Sequence, residues 1–255
     1  KVETGADIRR VDLALPAGTS VASIGEGQPG SPLVILGLSN GQSMGFRRTY
    51  KVSYPDGKKT ITPAIEYPYG ETPIVLDDAG RPLEHVALNA TDSTLVVAGS
   101  AGSHLNVLSL SREENMMTGE VTSEQKRIEL PQMTEPVKAI FIDPRQQWLY
   151  VINGRALADV FSLRDKSLNG RYKLLEDGTA EITASTQLVG GISLIVGNSK
   201  GGLAQWFMAR DPDGEQRFKQ IRTFQMGTTP IVEISAEERR KGLTALDASG
   251  KFGVF

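Results

Sequence analysis

One hairpin recurs five times along this chain, and the recurrence constrains the fold more than any other feature. The copies are PLVILGLSNGQSMGF (Pro32 to Phe46), TLVVAGSAGSHLNVLSL (Thr94 to Leu110), WLYVINGRALADVFSL (Trp148 to Leu163), SLIVGNSKGGLAQWFMA (Ser193 to Ala209) and LTALDASGKFGVF (Leu243 to Phe255). Each is an apolar, β-branched run, a short Gly/Asn/Ser turn, and a second run ending in a bulky apolar residue. Such turns supply the positive-φ positions that tight hairpins require. The anchors Phe46, Leu108, Phe161, Phe207 and Phe255 stand 62, 53, 46 and 48 residues apart. A four-stranded propeller blade takes about 40–50 residues, so the period indicates a β-propeller and is too long for a leucine-rich repeat.

A further strand precedes four of the hairpins: Ser20 to Ile24, His85 to Asn89, Val137 to Asp143 and Ile231 to Ser235. More polar segments, such as QKRIELP (Gln125 to Pro131) and FKQIRTFQM (Phe218 to Met226), read as outer strands. In the fourth unit, around Glu181 to Gly191, the two preceding strands do not separate. The stretch Ser111 to Arg127 is polar on all sides and interrupted by Gly119, so it reads as a long loop or one helical turn. Asp7 to Pro16 alternates Ile8, Val11, Leu13 and Leu15 and reads as a spare outer strand. Paired beside the last hairpin, it would close a ring of about five four-stranded blades and leave no long sheet edge open. The other arrangement places further blades beyond either end of the segment. The expectation is a single all-β domain spanning residues 1–255.

Composition removes several function classes. The chain carries 28 Lys plus Arg against 30 Asp plus Glu, so it lacks the basic excess expected of a nucleic-acid binder. It has no Cys, which excludes disulfides and cysteine-ligated zinc. No apolar run approaches the roughly 20 residues needed to span a bilayer. The chain starts at Lys1 without Met and ends in a strand-like GKFGVF, as a segment cut from a longer protein would.

Apparent chemical motifs dissolve in context. GEGQPG (Gly25 to Gly30) fits GxGxxG, but a dinucleotide fingerprint needs a helix to open within it. Here Pro29 interrupts the motif and the strand SPLVILGL follows. GQSMG (Gly41 to Gly45) fits GxSxG, but a nucleophile elbow turns from strand into helix; Ser43 is followed by the alternating GFRRTYKVSY, and only His85 and His104 exist as bases. The acidic turns Asp211/Asp213/Glu215 and Asp77/Asp78 supply too few oxygens for calcium, which takes about six to eight. No catalytic, cofactor or metal residue is assigned, and no cofactor is expected. Trp148, Trp206 and the repeated Phe positions read as blade packing. Basic doublets stand at Arg9-Arg10, Arg47-Arg48 and Lys58-Lys59 and a triplet at Arg239, Arg240 and Lys241; they are scattered and read as solvated loops and outer strands, with the triplet a candidate contact patch for a protein partner.

In strand order and spacing the repeat resembles the WD-repeat propellers, without their Trp-Asp and Gly-His marks; Leu108-Ser109, Phe161-Ser162 and Phe207-Met208 stand where Trp-Asp would. Over the whole chain the sequence resembles the extra domain inserted in bacterial phosphate ABC transporter permeases of the PstC type. Gly41 to Pro63, Val137 to Gly154 and Leu243 to Phe255 carry that likeness. The resemblance implies a soluble, non-catalytic interaction or sensory domain of an inner-membrane protein, on the periplasmic side. Its implied partners are the phosphate-binding protein or another transporter subunit. Two other readings stand beside it: a free-standing propeller scaffold, and a hydrolase with its site at the channel mouth.

Overall fold

The computed structural model describes residues 10–114, 116–118 and 121–255. They form a five-bladed β-propeller of antiparallel sheets. Blade 1 holds β1 (Val21–Glu26), β2 (Leu33–Leu38), β3 (Gln42–Ser53) and β4 (Thr60–Glu66), with the two-residue β5 (Ile74–Val75) paired to β3. Blade 2 holds β6 (His85–Ala90), β7 (Thr94–Ala101), β8 (His104–Glu114) and β9 (Val121–Arg127). Blade 3 holds β10 (Val137–Ile142), β11 (Trp148–Asn153), β12 (Leu157–Ser162) and β13 (Ser167–Lys173). Blade 4 holds β14 (Ile182–Gln187), β15 (Ser193–Asn198), β16 (Gly202–Arg210) and β17 (Gln216–Gln225). Blade 5 holds β18 (Ile231–Ala236), β19 (Leu243–Asp247) and β20 (Phe252–Val254).

The second strand of a blade is sandwiched between its neighbours, so both of its faces are buried. In β11, Leu149 and Val151 pack toward blade 2 while Tyr150 and Ile152 pack toward blade 4. This produces the continuous apolar runs of the repeat in place of simple alternation. The third seam is aromatic: Phe218 lies 5.5 Å from Trp206, 5.1 Å from Tyr150 and 5.7 Å from Tyr172. Both Trp206 and the recurrent Phe161 are therefore packing residues.

The recurring turn has a common device. The Oδ1 of Asn153 accepts the backbone N–H groups of Arg155 (3.0 Å) and Leu157 (3.2 Å). Asn198 does the same for Lys200 and Gly202, and Asp247 for Ser249 and Lys251. One side-chain acceptor thus closes the turn between second and third strands in three blades. The inner strands share a second feature, a register shift just after their first residue, in β1, β10, β14 and β18.

Two expectations are corrected. In the stretch Ser111 to Arg127, read as a loop or helical turn, residues 111–114 end β8 and 121–127 form β9, paired from Leu108↔Arg127 to Glu114↔Val121, with a turn at 116–118 between them. An outer strand faces solvent on both sides, so it carries no apolar stripe to betray it. The closing strand expected at Asp7 to Pro16 begins outside the described residues, and its described part, from Arg10 on, is irregular. Leu13 and Leu15 instead pack on the Val34/Leu36/Leu38 face of β2. The fifth sheet accordingly has three strands among the described residues. The blurred fourth unit resolves into β13 as the outer strand of blade 3 and β14 as the inner strand of blade 4.

Candidate interaction face and central channel

The innermost strands β1, β6, β10, β14 and β18 surround a channel of about 580 Å³. Glu26, Glu84, Glu233 and Glu238 line it together with Lys138 and His85, so its wall is polar and mainly acidic. Glu26 is paired with Arg48 at 3.3 Å, and a Glu84 carboxylate oxygen accepts the Gly102 N–H. Burial lowers the pKa of His85; Lys138 adds to this, while Glu84 opposes it.

One face of the ring is made by the turns joining first to second strands. The loop between β1 and β2 reaches across the mouth to two other blades. A Cβ on Gly191 of blade 4 would sit 3.0 Å from the Gln28 side chain, and one on Gly30 would lie 3.5 Å from the Glu238 carbonyl of blade 5. Both glycines hold positive φ, 66° and 84°, so backbone conformation requires them as well. Two glutamines tie blades together here. Gln146 donates to the Asn89 and Thr94 carbonyls of blade 2, and Gln187 donates to the Ile142 carbonyl of blade 3. Asp143 lies buried under the same face. Its pKa is raised by burial, although its carboxylate accepts backbone N–H bonds from Arg145, Gln147 and Trp148.

The structure places Arg239, Arg240 and Lys241 on this face, exposed in the turn between β18 and β19, directly after the channel-lining Glu238. Arg240 reaches Glu237 only at 3.9 Å, so the turn keeps most of its charge available. The motifs set aside on sequence grounds sit as read. GEGQPG runs from a strand through a loop into a strand, and Ser43 is fully buried on β3. His104 begins β8, apart from the channel that His85 lines. The acidic turns are occupied by cations: Asp211 by Arg217 and Lys219, Asp213 and Glu215 by Arg217, Asp77 by Arg81 and Asp78 by Arg127. Burial pushes Asp77 up, but hydrogen bonds from Arg81 and the Ala79 N–H outweigh it and hold the carboxyl below its usual range. Among the described residues no cluster of three His, Cys, Asp or Glu side chains is arranged to hold a metal ion. The bridging bonds of Gln146 and Gln187 and the close approach of Gln28 to Gly191 left no sequence signal, since each depends on contacts between distant blades.

No known sequence family matches the chain, and no curated protein sequence matches it. Among solved structures it is similar to BBS1N crystallised in complex with ARL6DN and soaked with mercury, at 12% identity and a TM-score of 0.58, over 96% of this chain and 68% of that one. The same complex soaked with lead matches at 11% identity and a TM-score of 0.55, over 97% of this chain and 66% of that one. At such identities the likeness is one of fold.

Proposed function

We propose that this propeller is a non-catalytic interaction or sensory domain that docks a protein partner through its stapled loop face. In this reading it belongs to a phosphate-uptake permease of the PstC type, and the partner is the phosphate-binding protein or another transporter subunit. The parent chain is then an inner-membrane protein of a bacterium, with this soluble domain on the periplasmic side. The observation that carries the proposal is the face itself. Loops from different blades are tied by the Gln146 and Gln187 hydrogen bonds around a channel mouth, with Gln28 close against Gly191 and the exposed basic turn Arg239–Lys241 on its rim. A surface held rigid before binding loses little entropy on docking, and function on a scaffold of this kind resides in its loops. The BBS1N propeller, similar in fold over 96% of this chain, was crystallised in complex with another protein, which fits the same use of the architecture. The carboxylates with lowered pKa values, Asp77, Asp177, Asp211 and Asp247, are engaged by turns and ion pairs, which gives them structural work in place of chemical work.

The test is binding of purified phosphate-binding protein and of the other transporter subunits to the domain and to its Arg239→Glu/Arg240→Glu/Lys241→Glu variant. Loss of affinity by about tenfold or more, as for removal of close charge pairs, is expected for the true partner. Unchanged affinity removes the basic turn from the interface. Fractionation of the complete parent reading frame tests the setting, because a soluble parent overturns the transporter assignment.

A further inference from the structure

The β3–β4 hairpin is longer than its blade needs. β2 pairs with β3 only as far as Leu33↔Arg47, whereas β3 and β4 stay paired out to Ser53↔Thr60. The five pairs from Thr49↔Ala64 to Ser53↔Thr60 therefore form a two-stranded ribbon standing clear of β2, about 16 Å long at the usual strand rise. Strand alternation sorts its side chains. Tyr50 and Val52 lie on one face, opposite Pro63 and Ile61 respectively, while Thr49, Lys51, Ser53, Thr60 and Thr62 lie on the other. The apolar face is turned to solvent: Tyr50 is 70% exposed, Val52 49%, Ile61 51%, and Tyr54 at the tip 65%. Lys58 and Lys59 follow the 3-10 turn Pro55–Gly57, so residues 49–64 carry three lysines against one aspartate. At the equivalent turn of blade 2, Met116 and Met117 are 98% and 96% exposed.

We propose that this ribbon is a lipid-docking element that seats its apolar face in the interfacial region of an anionic membrane, with Lys58 and Lys59 of the tip at the headgroups. This inference stands apart from the protein partner proposed above. Three properties select the occupant. Tyrosine, with an apolar ring and a polar tip, suits the boundary between headgroup and acyl chain. Lysine can lay its stem along that boundary while its ammonium meets anionic headgroups. Protein interfaces, by contrast, are depleted in lysine and bury about 800 Å² per partner, which a ribbon two strands wide supplies poorly.

The test uses the 255-residue chain and vesicles of phosphatidylcholine alone or with about one third phosphatidylglycerol or phosphatidylserine, a composition set to give a negative surface potential. Co-sedimentation is expected with the anionic vesicles and not with the neutral ones, weakening as salt rises. Lys58→Glu/Lys59→Glu should reduce partitioning by roughly thirtyfold, from the contribution of a juxtamembrane lysine. Tyr50→Ser/Tyr54→Ser should reduce it by about tenfold, from the apolar area lost. A Tyr54→Trp variant reports depth, with its emission shifting to the blue on anionic vesicles. These substitutions are at exposed positions, and an unchanged melting curve verifies that each variant is folded. Absence of binding to anionic vesicles, binding indifferent to both variants, or adsorption without the blue shift each overturns the proposal. Capture of a protein by the ribbon without lipid binding overturns it equally.

Discussion

Replacing Asn153 tests whether the side-chain acceptor at the recurrent turn is what holds a blade's central hairpin. Asn153 is 2% exposed, and its Oδ1 accepts two backbone N–H groups, from Arg155 and Leu157. Its Nδ2 is buried without a partner. Asn153→Ala removes both bonds, at about 1 kcal/mol each, and leaves two N–H groups to find other acceptors. The expected loss is about 2–3 kcal/mol, part of it offset because the orphaned amide also goes. Asn153→Asp keeps both acceptors and deletes the orphaned donor, and blade 5 already uses Asp247 in this way. The new carboxylate still accepts both N–H groups, so this variant should stay within about 1 kcal/mol of the parent. Urea unfolding followed by the fluorescence of Trp148 and Trp206, with a slope near 3 kcal/mol per molar, would show a midpoint drop of about 0.7–1 M for the alanine variant. The aspartate variant should move by less than about 0.3 M. Equal shifts for the two variants would refute the argument, because the acceptor would then be irrelevant.

Three further outcomes follow from the geometry. His85 has a folded pKa below its ordinary value of about 6.5, so the unfolded chain takes up its proton first as the solution is acidified. Its contribution to stability is present above about pH 6.5 and lost as pH falls through the depressed folded pKa; His85→Gln should flatten the melting temperature between about pH 7 and pH 5. Gly201 and Gly214 both hold positive φ, 74° and 88°, but a Cβ on Gly201 would meet the Gly227 carbonyl oxygen at 2.6 Å while one on Gly214 meets nothing within 4 Å. Gly214→Ala should cost about 1 kcal/mol and Gly201→Ala markedly more, read as urea midpoints. Leu13→Ala/Leu15→Ala should raise amide exchange in β1, β2 and their neighbours in blade 5 while leaving β10–β12 protected, whereas a uniform rise would remove the local role given to these leucines.

The hairpins were legible because two physical causes left separate marks. Burial on both faces wrote LVVA, LYVI and LIV into β7, β11 and β15, and the turn device wrote Asn or Asp just before the Gly-containing turns. Outer strands were harder. β9 (VTSEQKR) faces solvent on both sides, and its pairing with β8 depends on backbone bonds that any polar sequence can make. The basic turn Arg239–Lys241 could be found by inspection because charge is local. The rest of the face could not: Gln28 meets Gly191 across more than half the chain, and nothing in either neighbourhood announces it.

Among the described residues the seams between blades are unequally filled. Four seams are filled by clusters that draw side chains from both blades. The remaining face of β2, Val34, Leu36 and Leu38, is covered by Leu13, Leu15 and Phe46, and among the described residues the cluster holds no buried residue of blade 5. Blade 5 shows the counterpart in its sequence: β19 reads LTALD, with Leu243 and Ala245 buried toward blade 4 and Thr244 and Leu246 only half-buried. Its partner strand β20 leaves Phe252 and Val254 62% and 73% exposed on that side. Blade 5 is therefore fixed to blade 4 by its core and approaches blade 1 through the Gly30–Glu238 loop contact at the channel mouth. The basic turn Arg239–Lys241 is adjacent to that contact in sequence. A partner gripping this turn and the β1–β2 loop together would add binding energy across the seam between blades 5 and 1, so docking and ring cohesion are thermodynamically linked and each should strengthen the other.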